Sequence, residues 1–167
     1  MALIHNLAMA RWLALSVLVV ALDQWTKWLA ESLLEPYRAV PVAPLLNMTL
    51  MYNEGAAFSF LAGAGGWQRW LFAAFALIMT AVLVIWLLRL RTEERAMAAG
   101  LSLVAGGAVG NLIDRVSTGR VVDFIDVYVA DWHWPAFNVA DSAITIGVCL
   151  LLLVSFRGEL RQKRAAR

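Results

Sequence analysis

The sequence predicts a membrane all-α protein with a small β element: a four-transmembrane-helix bundle carrying an extracytoplasmic sheet and a short interfacial helix. Three observations lead there. Hydrophobic residues make up 62% of the chain and charged ones only 16%, far from the balance of a soluble domain. Four apolar stretches approach the ~20 residues needed to cross a ~30 Å hydrocarbon layer. Two segments between them carry patterns suited to short strands. A chain of 167 residues has room for one unit, and no repeat, low-complexity tract or long linker divides it, so residues 1–167 read as a single integral membrane domain.

The spans are expected at about 12–30, 70–88, 96–113 and 139–156, with outer loops at about 31–69 and 114–138. The second is the cleanest, since no charge interrupts it between Arg69 and Arg89. The first could be mistaken for a cleaved signal peptide, because Arg11 precedes an apolar core from Trp12 to Leu22. Yet Asp23, Gln24 and Lys27 follow among bulky tryptophans, with no small-x-small cleavage triplet, so it stays a span.

Orientation follows from the distribution of Lys and Arg. Nine of the 14 basic residues (Arg11, Arg89, Arg91, Arg95, Arg157, Arg161, Lys163, Arg164 and Arg167) fall on one side, which is expected to be cytoplasmic and to hold both termini. The net charge of +2 reflects these anchors and gives no nucleic-acid signal.

In the first outer loop, Leu46, Met48, Leu50 and Tyr52 alternate mostly with polar residues, as in a half-buried strand, and Pro41 and Pro44 before it favour an edge or a bend. A second strand candidate, Arg120–Phe124, follows Gly119 in the other loop, and the two can pair into a small sheet resting on the membrane. Ala56–Leu61 reads as the short interfacial helix, ending in Gly63-Ala64-Gly65-Gly66. The third span is rich in Ala and Gly, and Gly106 and Gly110 share a face. Small residues let backbones approach closely, so this helix belongs in the middle of the bundle.

Cys149 is the sole cysteine, which leaves no disulfide, paired zinc site or redox motif, and it reads as an inert packing residue. Neither His5 nor His133 has a partner at ligand spacing. His133, in Trp132-His133-Trp134-Pro135, reads as part of an aromatic membrane-interface belt.

Ionisable groups within spans are costly and mark function. Here they gather at the outer ends, Asp23, Lys27, Asp114, Arg115, Asp123, Asp126 and Asp141, together with the polar Asn111 and Asn138. Asp23 and Lys27, at i and i+4, suit a stabilising pair that can reach Gln24. Asp114 and Arg115 can neutralise each other, or Arg115 can hold a substrate carbonyl or steady a carboxylate. Asp126 and Asp131 read as solvated acids. Asp141, the third residue of an apolar span, is different, since a lone carboxylate there would favour its neutral form. A second carboxylate explains it better: two acids sharing one proton supply a general base for water and a general acid for a scissile carbonyl. Asp123, between Val122 and Phe124, is the best second member.

Five segments then carry a resemblance. Asp23-Gln24-Trp25-Thr26-Lys27, Asn53-Glu54-Gly55-Ala56-Ala57-Phe58, Gly106–Arg115, Val122-Asp123-Phe124 and Phe137-Asn138-Val139-Ala140-Asp141 resemble, in order, the sequence blocks of the bacterial lipoprotein signal peptidase family, also called signal peptidase II. The resemblance implies a cofactor-free aspartic endopeptidase of the bacterial cytoplasmic membrane, working as a monomer. Its substrates would be prolipoproteins, cut just before a cysteine already carrying diacylglycerol. Asp123 and Asp141 would be the catalytic pair. Asn53, Gly55, Asn111, Arg115 and Asn138 would line or brace the substrate site, and Asp23, Lys27 and Asp114 would support the architecture. The outer sheet and the helix near Phe58 would form a cradle and a movable cover. Two other classes fit intramembrane acids in principle, a small ion- or proton-coupled transporter and a non-catalytic membrane scaffold. The inner halves of the spans lack the polar residues a transport path needs.

Overall fold

Each apolar run folds as a helix that carries on into the polar flanks, where backbone hydrogen bonding continues past the hydrocarbon limit: α1 Leu13–Leu33, α2 Trp67–Arg89, α3 Arg95–Ser117 and α4 Val139–Ala165. The structure, a computed structural model, describes residues 9–54 and 66–165. Gly55 and the expected interfacial helix over 56–61 lie outside the described residues. All four helices are long and apolar enough to cross a membrane, and the chain is a multi-pass membrane protein. Their outward side chains, among them Val17, Leu18, Phe75, Ile78, Ile85 and Leu152, are exposed to the surroundings rather than to protein.

The helix α3 is the hub. Half of its apolar window is buried (50%), against 17–22% in the other three helices. The small residues explain this. A Cβ on Gly106 would lie 2.8 Å from the Ser16 carbonyl oxygen of α1, and one on Gly107 would collide with the Ala140 carbonyl of α4. These glycines therefore serve packing within the bundle, on two faces of the helix. Toward the other end, Leu83, Leu87, Leu90, Ala98, Leu101 and Ala105 form an apolar cluster between α2 and α3. Cys149, expected as a packing residue, is instead exposed. The helix α4 meets α3 through Gly147 and Leu151, which leaves position 149 on the opposite side.

At its outer end α3 stops in a glycine turn. Gly119 takes φ +84°, a conformation that a Cβ would strain, and its N–H and that of Thr118 both donate to the Asp114 carbonyl. The chain then enters a four-stranded antiparallel sheet of order β1-β2-β3-β4, formed by Ala39–Ala43, Leu46–Asn53, Val121–Val129 and Trp132–His133. The pairing of β2 with β3 sets Met51 opposite Asp123 and Asn47 opposite Asp126, with a bulge between Met48 and Met51. Pro41 sits in the edge strand β1, where a missing N–H is tolerated. The strand β3 runs further than Arg120–Phe124, because Asp126 is not a solvated acid that ends it but a buried one paired within the sheet. Leu50, Val122 and Phe124 pack on Ala30 and so seat the sheet on the end of α1.

Candidate active site

Beneath the sheet lies a buried ionic network. Lys27 Nζ stands 2.8 Å from both Asp23 Oδ2 and Asp114 Oδ2 and donates to Asn111 Oδ1 at 3.0 Å. All three ammonium donors are thus used. The acids are equally occupied: Asp23 Oδ1 accepts from the Ala140 N–H at 2.9 Å, and Asp114 accepts from Val122 N–H at 3.1 Å and from Gln24 Nε2 at 2.9 Å. The side chain of Asp114 turns back toward α1 to pair with Lys27, while its charge still acts on neighbouring Arg115. The network ties α1, α3, β3 and the start of α4 at one point.

Asp123 and Asp141 sit directly above, on β3 and in the first turn of α4, and both line one cavity of about 1020 Å³. Asparagines brace each of them. Asn138 Nδ2 donates to Asp123 Oδ1 at 2.8 Å and Asn53 Nδ2 to Asp123 Oδ2 at 3.3 Å. Asn111 Nδ2 donates to Asp141 Oδ1 at 2.8 Å, and the Asn138 backbone N–H donates to Asp141 Oδ2 at 3.3 Å. Asn53, Asn111 and Arg115 line the cavity. Asn138 is completely buried and touches both carboxylates, a bracing position rather than a lining one.

Burial, and then the charge of Asp141, push the Asp123 carboxyl up to about 7, against the pull of its hydrogen bonds from Asn53 and Asn138. A carboxyl poised there can hold a proton at neutral pH, which suits acid–base work. Asp126 behaves in the opposite way. Burial would raise it, but hydrogen bonds from His133, Asn47 and Thr49 outweigh that and hold it below the usual carboxylate range. It stays ionised, so Asp123 and not Asp126 has the properties of a proton-sharing partner.

Much of the remaining cavity wall comes from Trp134, Pro135, Ala136 and Phe137, together with Ile144 and Ile146 of α4. The sequence hides this apolar wall, although the aromatic run just before Asn138 is its trace. Tyr52, another lining residue, lies under the Arg120 guanidinium at 3.6 Å, a cation–π contact not visible in the linear pattern. His133 is more than an interface aromatic, since its Nδ1 is 2.7 Å from Asp126 Oδ1. Among the described residues, no group of three or more His, Cys, Asp or Glu side chains is placed to hold a metal ion.

A membrane bundle with a buried and a half-buried carboxylate on one cavity defines a class, the polytopic membrane protein with an acid-pair site. Comparison with known proteins narrows it. The family described as Signal peptidase (SPase) II matches residues 15–157. The lipoprotein signal peptidase of Acinetobacter baumannii (strain ATCC 17978) is 53% identical over 152 residues, covering 91% of this chain and 85% of that protein. That of Pseudomonas syringae pv. tomato is 51% identical over 162 residues, covering 95% and 94%. A solved structure described as a bacterial membrane enzyme superimposes with a TM-score of 0.79 at 35% identity, covering 89% of this chain and 88% of that one. The chain belongs to the signal peptidase II family. It is accordingly a membrane aspartic endopeptidase, which displaces the transporter and scaffold readings.

Proposed function

We propose that Asp123 and Asp141 are the catalytic pair with which this protein removes signal peptides from diacylglyceryl-modified prolipoproteins, cutting just before the lipidated cysteine. The observation that carries the assignment is the shared cavity: buried Asp123 and half-buried Asp141 face one space, each braced by asparagine, and Asp123 is raised to about 7. In the resting pair one proton is shared. The ionised member takes a proton from water as it attacks the scissile carbonyl carbon, and the protonated member gives its proton to the carbonyl oxygen. Collapse of the tetrahedral species breaks the C–N bond, with a proton passing to the departing cysteine amine.

The asparagines keep the carboxylates in place without adding charge. Arg115, lining the same cavity, supplies a cation for a substrate carbonyl or for the developing oxyanion. Asp23, Lys27 and Asp114 hold the floor. The apolar wall suits a substrate whose lipid and signal segment both approach from the membrane. The excess of basic residues on one side supports cytoplasmic termini, with the sheet and the acid pair on the outer side of the bacterial inner membrane. One chain holds both acids, so a monomer suffices for the reaction. Cleavage of a lipid-modified precursor by the purified protein, read by product mass, tests the reading; an uncut precursor refutes it.

A further inference from the structure

We propose that Asp126 and His133 are positioning residues for the cleavage reaction, forming a latch that holds the Trp134–Phe137 wall against the acid pair. The inference rests on the peptidase reading and adds to it two residues that touch neither acid.

Asp126 is only 6% exposed, yet it is a carboxylate in the middle of a small sheet. Its Oδ2 accepts from Asn47 Nδ2 at 3.2 Å and from Thr49 Oγ at 3.1 Å, both on β2. Its Oδ1 meets His133 Nδ1 at 2.7 Å, on β4. An ionised carboxylate only accepts, so the imidazole carries a proton on Nδ1. The ring is fixed from its face as well, stacked on Tyr128 at 5.4 Å and 20°. One buried charge thereby joins β2 to β4 across β3.

A buried carboxylate is a poor way merely to stabilise a sheet, since an apolar residue at the same place does so with no desolvation cost. What the charge supplies is direction, and the chain it directs is the cavity wall. The strand β4 is two residues long, too short for a ladder to hold it alone. Immediately after His133 come Trp134, Pro135, Ala136 and Phe137, which all line the cavity. The inner end of this wall is fixed: Phe137 bonds to Ile125 in both directions, and Asn138 reaches Asp123. The outer end is fixed by the bond from Trp134 N–H to the Val127 carbonyl at 2.8 Å and by the Asp126–His133 latch. Release of the latch leaves the outer end to the Trp134 backbone bond and a two-residue strand, which loosens the wall, so that substrate is held less well while the acids stay in place.

The test is a kinetic split with lipid-modified precursor. Asp126→Asn and His133→Ala should raise KM about tenfold, the scale of losing a charge-assisted hydrogen bond, with kcat lowered no more than about twofold. His133→Asn, whose amide N–H can stand where Nδ1–H stood, should recover most of the KM. Asp131→Asn, exposed in the adjoining turn, should match the unsubstituted protein. The ring of His133 is half-exposed (50%), so His133→Ala folds even if Asp126→Asn does not. An unchanged KM in folded His133→Ala, a loss confined to folded yield, or no recovery in His133→Asn would overturn the latch. Failure of the unsubstituted protein to cleave would instead overturn the peptidase reading.

Discussion

Lys27 Nζ donates to Asn111 Oδ1 at 3.0 Å, and this contact settles which way the Asn111 amide points. An ammonium has no acceptor, so it must face the amide oxygen, and Asn111 Nδ2 is left to donate to Asp141. The Asn111 amide thus links the ionic floor to Asp141.

The floor is asymmetric, and stability should show it. Lys27→Ala leaves Asp23 and Asp114 buried together without the cation they share, whereas Asp23→Ala leaves Lys27 still paired with Asp114. Lys27→Ala should therefore cost ~3–5 kcal/mol of stability and Asp23→Ala clearly less. The folded fraction in detergent, followed through thermal unfolding, separates them. Equal losses would mean that Asp114 does not share the lysine.

Asp123, pushed up to about 7 first by burial and then by the Asp141 charge, binds its proton more tightly in the folded chain than in the unfolded one. Between the ordinary carboxylate range and about pH 7 the folded state holds more protons, so stability falls as pH rises through that window. Asp123→Asn removes this titration. The variant should show a flatter profile and gain on the order of a few kcal/mol near pH 8. Cleavage by the unsubstituted protein should decline on the alkaline side, as the pair loses its shared proton. An unaltered stability slope in Asp123→Asn would place the raised group elsewhere.

Topology can be read by labelling. With Cys149 replaced by Ala, a cysteine at the exposed position Trp132 should react with an impermeant thiol reagent from outside only, and one at Arg91 from the cytoplasm only. The reverse pattern would put the acid pair in the wrong compartment. The expectation comes from the excess of basic residues at the α2–α3 connection and along α4.

Much of this was legible in the sequence, and the misses have physical causes. Long apolar runs mark the spans, and the alternation of Leu46 to Tyr52 marks β2. The edge strands escaped because their turns lack the usual residues. Leu45 and Ala130 take φ +66° and +52°, conformations that glycine or asparagine normally announces. Asp126 read as a solvated acid because its partners Asn47 and Thr49 lie 79 and 77 residues away. Asp114 reads as a charge partner of adjacent Arg115, and the fold adds a direct ion pair with distant Lys27. Local pattern shows that a carboxylate needs a partner, and only the packing shows which one.

The lipid on the substrate should matter for positioning as well as delivery. Each buried methylene adds ~0.8 kcal/mol of membrane anchoring, and two chains hold the peptide in the plane of the site. Anchoring raises the effective concentration of the scissile bond beside the acids. Unmodified precursor of the same sequence should be cut far more slowly even at saturation. Equal kcat for the two forms would reduce the lipid to a delivery device.

The most direct measurement compares three purified proteins, unsubstituted, Asp123→Asn and Asp141→Asn, on lipid-modified precursor in one detergent, with products weighed by mass spectrometry. Asparagine keeps the size of each carboxylate but can neither share the proton nor activate water. The unsubstituted protein should release a signal peptide ending just before the lipidated cysteine, and neither variant should rise above background although both elute as folded protein. Cleavage at the unsubstituted rate by either variant, or an inactive Asp126→Asn beside an active Asp123→Asn, would contradict the assignment of the acid pair.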